Sequence, residues 1–184
     1  MAWAAGEHAG RLAAELAIMA GDARRLILAE GGPLERQGIE QRLHGALSSL
    51  PLLLRRARGD PAPVAALRAT LLRRDWRGLM KQLDALKKRH PFDARRLLGA
   101  APTAEALALG ASIHKMTCTA CHDAPPVDSL LPATNLVVQL KSMPREEFAA
   151  RLWLGARGDK TTALANPFSD AELAAQIAWY SETR

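Results

Sequence analysis

The sequence predicts an all-α protein, and three observations carry that prediction. Alanine, leucine and arginine are abundant, whereas aromatic residues make up only 4% of the chain; with β-branched residues also scarce, there is little to build a sheet from. Apolar residues recur at steps of three and four rather than in alternation. Glycine and proline fall in clusters between these stretches, where helices would be expected to stop. A length of 184 residues suits one large domain or two small ones.

Taken in order, the first helix is expected over about residues 7–30, with Leu12, Leu16, Met19, Ala20, Ala23 and Ile27 near one face. Gly31-Gly32-Pro33 ends it. A second runs from about Leu34 to Leu50 on Ile39, Leu43, Leu47 and Leu50, and Pro51 is expected to break it. After the turn at Gly59-Asp60-Pro61, a third covers about 62–74 with Val64, Leu67 and Leu71. Asp75 is a suitable N-cap for a fourth over about 76–89, with Trp76, Leu79, Met80, Leu83 and Leu86 on one side. Short loops favour antiparallel neighbours, so residues 1–101 read as a four-helix bundle or a pair of helical hairpins. Gly99-Ala100-Ala101-Pro102-Thr103 reads as the linker to a second domain, 102–184. There Thr103 caps a helix from Ala104 to about Lys115, and Ser169, with Glu172 in the capping-box position, caps a last one from Asp170 to about Ser181.

Between these two helices stands Cys118-Thr119-Ala120-Cys121-His122, which holds both cysteines of the chain. C-x-x-C-H is the spacing at which two thiols bond to the vinyl groups of a haem while the adjacent imidazole ligates its iron. A redox dithiol would want a βαβ context and a structural zinc a second ligand pair, and neither accompanies the motif. One covalent haem c on Cys118, Cys121 and His122 is therefore expected. His8, His44 and His90 stand singly and read as surface or capping residues, and Met19 and Met80 as core filler.

Charge is unevenly shared. Residues 1–101 hold 18 Lys and Arg against 10 Asp and Glu, a balance of +8, whereas residues 102–184 hold 7 against 9, a balance of −2. A solvated helical surface explains the basic half more readily than a specific docking patch does. No nucleic-acid-binding motif accompanies the charge, so nucleic acid is not an expected partner. No apolar run reaches the roughly 20 residues needed to span a bilayer, so contact with an anionic membrane surface is the membrane role the charge suggests. The first six residues lack a basic region followed by an apolar one. Because covalent haem attachment normally requires export, a periplasmic location with a leader already removed is expected.

Residues 104–184 resemble a class I c-type cytochrome domain. The resemblance rests on the Cys118–His122 motif, on Gly110 eight residues before Cys118, and on the capped last helix with Trp179-Tyr180 near its end. It implies that the first and last helices cross closely at Gly110. It also implies that His114, at a position where the family usually has an aromatic, packs on the last helix. A proline-containing loop is expected to offer a backbone carbonyl to His122. Pro132 fits that loop best, Pro125 and Pro126 less well, and Asp123 replaces the glycine that commonly follows the haem histidine. The resemblance does not extend to the N-terminal helices, which are of unrecognised family.

The departure lies at the sixth iron position. Family spacing counted back from Tyr180 lands on Lys160-Thr161-Thr162-Ala163, where no methionine stands. Three readings stay open: Met143 as the ligand, Lys160 as a rarer one, or an open position. The first suits a mono-haem electron carrier whose basic helical domain docks to a redox protein, dimerises or joins a larger redox assembly. An open position suits a small-ligand binder or sensor. Asp123, Glu146 and Asp159 read as capping or solvated carboxylates, so an enzyme has the least support.

Overall fold

The computed structural model describes residues 2–99, 101–125, 127–155 and 166–183, with the side chains of 2–5 left out. Every regular element among them is helical. The chain divides into two compact units, Met1–Asp93 and Ala94–Arg184.

The first unit contains α1 (Ala2–Ile27), α2 (Pro33–Arg56), α3 (Pro63–Leu72) and α4 (Trp76–Arg89). α1 packs on both α2 and α4, and α3 on α2 and α4, so the four helices close on one another as a bundle. Their apolar stripes meet in one core that includes Leu12, Leu16, Met19, Leu43, Leu47, Leu67, Leu79 and Leu83, with Met80 packed at its edge. One charged pair enters this interior. Asp22 is fully buried, and Arg42 donates to it twice, Nε to Oδ2 at 2.6 Å and Nη2 to Oδ1 at 2.5 Å. Among the described residues no helix is long and apolar enough to cross a membrane.

Pro51 does not end α2, which continues to Arg56. A proline inside a helix has no N–H for the carbonyl four residues earlier. That carbonyl belongs to Leu47, and Arg68 of α3 donates to it from Nη2 at 3.0 Å. The expected break is thus relieved by a donor 21 residues away. Asp75 caps α4 as expected, its carboxylate accepting from the Gly78 N–H at 2.9 Å.

The second unit begins eight residues before the expected boundary at 101/102. Ala94 and Leu97 are buried, and the short α5 (Arg95–Leu98) packs against α9 (Arg145–Leu154) and α10 (Asp170–Glu182), which draws it into this unit. α6 (Ala104–Ile113) leads through a π-helical turn (His114–Cys118) into α7 (Thr119–His122), and α8 (Leu136–Ser142) follows a loop. Thr103 caps α6 by accepting from the Ala106 N–H, and Ser169 with Glu172 forms the capping box of α10.

α6 and α10 make the main packing contact of this unit. A Cβ on Gly110 would lie 2.8 Å from Trp179 Cβ and nearer still to the Ala175 carbonyl oxygen, so only glycine permits this approach. α10 is further tied to its neighbours by Arg96 to Asp170 at 3.0 Å and by Trp153 Nε1 to Asp170 at 3.2 Å.

Candidate functional site

The Cys118–His122 segment spans the end of the π-helical turn and α7. The widened turn is anchored by two hydroxyls: Thr117 Oγ1 donates to the Ile113 carbonyl at 2.7 Å and Thr119 Oγ1 to the His114 carbonyl at 3.2 Å. Such turns recur at functional sites because they reset which side chains share a face. Cys118 is half-buried and Cys121 exposed, and both are free thiols.

His122 is half-buried and its Nδ1 donates to the Thr134 carbonyl at 2.7 Å. That bond places the ring proton on Nδ1 and leaves the Nε2 lone pair for a metal. Two free thiols beside an imidazole oriented in this way suit covalent attachment and axial ligation of one haem. The segment after His122 also turns Val127, Leu130 and Leu131 outward, apolar surface of the kind a porphyrin face would cover.

The carbonyl that meets His122 comes from the expected proline-containing loop, 131–136, but it belongs to Thr134 rather than to Pro132. The reason lies in Asn135. Its Oδ1 accepts from the N–H groups of Val137 and Val138 at the start of α8, while its Nδ2 donates to Asp123 Oδ1 at 2.7 Å. Anchored to the residue after His122, Asn135 presents the carbonyl immediately before it. Pro132 precedes that anchor and is exposed.

Asp123 is exposed, as expected, but both of its carboxylate oxygens are paired. Besides Asn135, its Oδ2 meets His114 Nε2 at 2.7 Å, and His114 Nδ1 meets the Tyr180 hydroxyl at 3.1 Å. A carboxylate only accepts, so Nε2 donates to Asp123 and Nδ1 accepts from the Tyr180 hydroxyl. His114 is buried and packs at 4.8 Å from Trp179 and edge-on at 5.4 Å to Tyr180, centroid to centroid. Burial pushes the Tyr180 phenol well above its ordinary value, with the neighbouring Cys118 and Asp123 adding to the effect. It therefore stays a proton donor. Sequence reasoning placed His114 on the last helix but missed the link to Asp123. The signal available was a pair of polar residues at two positions where aromatic and glycine are usual.

Met143 is half-buried and lies just past the last turn of α8. The seven residues of α8 separate it from the Asn135 anchor, about 10 Å of axial rise. Lys160 and Asp159 lie outside the described residues, as does Pro126. Glu146 is exposed in the first turn of α9. Among the described residues, no group of three or more His, Cys, Asp or Glu side chains is arranged to hold a metal ion. Compared with family models, curated proteins and solved structures, the chain matches none.

Proposed function

We propose that this protein is an exported mono-haem c-type cytochrome that carries electrons. Cys118 and Cys121 would hold the haem through thioether bonds, and His122 Nε2 would ligate the iron. The observation that carries the reading is the hydrogen bond from His122 Nδ1 to the Thr134 carbonyl. It fixes ring and tautomer and makes the opposite nitrogen a stronger donor, next to two free thiols at covalent-attachment spacing. The bound haem would supply one-electron oxidation and reduction. The chain's own part is to anchor the proximal segment beneath α10, to orient the imidazole and to keep Tyr180 neutral. Its basic helical unit would steer it towards an acidic redox partner or an anionic membrane surface, with association weakening as salt rises, or would mediate dimerisation or entry into a larger redox assembly.

The test is expression together with a c-type haem-attachment system. One haem should survive denaturation, and replacing either cysteine by alanine should cost one thioether and shift the pyridine haemochrome band. A chain that emerges without covalent haem under these conditions sinks the reading.

A second reading follows from the Lys160–Ala163 sequence, which lacks the methionine of the resembled family. There the sixth position would be open and the protein would bind a small ligand such as CO or NO. Rapid CO binding to the reduced protein favours this reading. The weak long-wavelength band of iron–methionine ligation, abolished by Met143→Ala, favours the carrier. Loss of the native spectrum in Lys160→Ala instead would assign that lysine.

A further inference from the structure

We infer that Asp123 is a positioning residue for the His122 ring, acting by clamping the Thr134 carbonyl in place. The inference rests on the haem reading above, in which His122 is the axial ligand. Four links form a continuous chain: Tyr180 hydroxyl to His114 Nδ1 at 3.1 Å, His114 Nε2 to Asp123 Oδ2 at 2.7 Å, Asn135 Nδ2 to Asp123 Oδ1 at 2.7 Å, and Asn135 Oδ1 to the first N–H groups of α8. Asp123 is the member that joins the two ends. One of its oxygens reaches α10 through His114, the other the loop through Asn135.

The geometry turns this chain into a constraint on His122. Asp123 follows His122 directly, and Asn135 follows Thr134 directly, so the Asp123–Asn135 bond and the His122–Thr134 bond are adjacent rungs between the same two segments. Each rung fixes the separation the other needs. The segments are otherwise an exposed loop and a four-residue helix, neither with the packing to hold a 2.7 Å contact by itself. Asn135 is also locked in orientation: its oxygen serves the helix start, so only its amino group can face Asp123, and only an acceptor can answer it. The buried His114, its ring tilted against Trp179, ties the same carboxylate to α10.

A carbonyl held on Nδ1 makes the imidazole more electron-donating and favours the oxidised iron. Loosening the clamp should therefore raise the midpoint potential. Removing a negative charge near the haem would do the same, and the variants must separate the two. Asp123→Ala removes clamp and charge. Asp123→Asn removes the charge alone, since its oxygen can accept from Asn135 while its amino group donates to His114 in the other tautomer. Asn135→Ser removes the rung alone, because serine still caps α8.

The measurements are the midpoint potential of each haem-loaded variant and the exchange rate of the His122 Nδ1 proton by NMR. Asp123→Ala and Asn135→Ser should each raise the potential, a tenfold change in the redox equilibrium reading as about 59 mV for one electron. Both should speed Nδ1 proton exchange by about tenfold, and Asp123→Asn should leave exchange at the wild-type rate. Equal potential shifts in both Asp123 variants, with Asn135→Ser silent and exchange unchanged, would mean a charge effect and overturn the positioning role. If Asp123→Ala fails to fold, Asn135→Ser with Asp123→Asn decides the matter. Wild-type protein that takes up no covalent haem overturns the haem reading itself, an outcome distinct from covalent haem with an indifferent Asp123.

Discussion

The Asp22–Arg42 pair of the first unit and the polar chain of the second put polar groups to opposite uses. In the first, leucine and alanine fill a four-helix interior, and the Asp22–Arg42 pair is satisfied within it. In the second, short helices leave a chain of polar side chains running from buried Tyr180 to half-buried Asn135 and its exposed neighbour Thr134, close to two free thiols. A pair held against a packed apolar interior specifies packing. A polar chain that ends beside ligating atoms can transmit position to them. Burial of charge alone therefore does not locate function in this molecule; what lies at the end of the hydrogen-bond chain does.

The sharpest way to break this contrast is Arg42→Ala. It takes the bidentate partner from a fully buried carboxylate, and loss of one member of a buried pair costs about 3–5 kcal/mol. Hydrogen exchange at the amides of α2 should quicken accordingly. An unchanged rate would show that the pair contributes nothing to the bundle.

In the second unit the comparable test is Gly110→Ala. The new Cβ would meet the Ala175 carbonyl, a backbone atom that cannot swing aside, so α6 and α10 must part. Overpacking of this kind costs about 1–3 kcal/mol. Because the polar chain needs α10 beside the π-helical turn, the variant should also lose the His114–Tyr180 bond, visible as a shifted Tyr180 hydroxyl or ring resonance. Destabilisation without that shift would separate helix packing from the polar chain.

How far each region was legible in the sequence follows the same division. Asp75, Thr103 and the Ser169/Glu172 box are local devices, each bonding within three residues, and the sequence displays them directly. Gly110 was legible only through the resemblance, by its place eight residues before Cys118, and the close approach of α10 shows why glycine is needed there. Pro51 misled, since a proline argues for a break and its remedy, Arg68, lies on another helix. Asp123 was obscured for a related reason: its partners His114 and Asn135 stand nine residues before it and twelve after, in different elements. The carbonyl that accepts from His122 moved from Pro132 to Thr134 because a side chain, Asn135, sets the register of that loop. Periodicity and capping read local order well, but bonds between elements leave no spacing rule to count.

Pro51 and Arg68 give a smaller, reciprocal test inside the first unit. In the native chain, Arg68→Ala leaves the Leu47 carbonyl without its guanidinium donor and should cost about 1–1.5 kcal/mol. In a Pro51→Ala background the backbone N–H restored at that position can take the same carbonyl, and the cost of Arg68→Ala should shrink towards zero. Denaturant midpoints of the four chains give the coupling, and simple additivity would show that Arg68 acts elsewhere.

The smallest effect belongs to the cap of α10, the helix on which the polar chain of the second unit hangs. The Glu172 carboxyl lies below its ordinary value of 4.5, held there first by the Ser169 backbone N–H and then by the Ser169 hydroxyl. A carboxyl lowered in the folded state adds stability that is complete above the ordinary value and is lost as pH falls through the folded one. Glu172→Gln keeps the reciprocal bonds, since glutamine serves in a capping box, but removes the titration. Near neutral pH the variant should resemble the native chain. Below about pH 4.5 the native cap weakens while the variant's does not, so the gap between their thermal midpoints should move in the variant's favour. Parallel curves across that window would mean that the Ser169–Glu172 bonds do not stabilise α10, leaving its start to the Arg96–Asp170 and Trp153–Asp170 contacts.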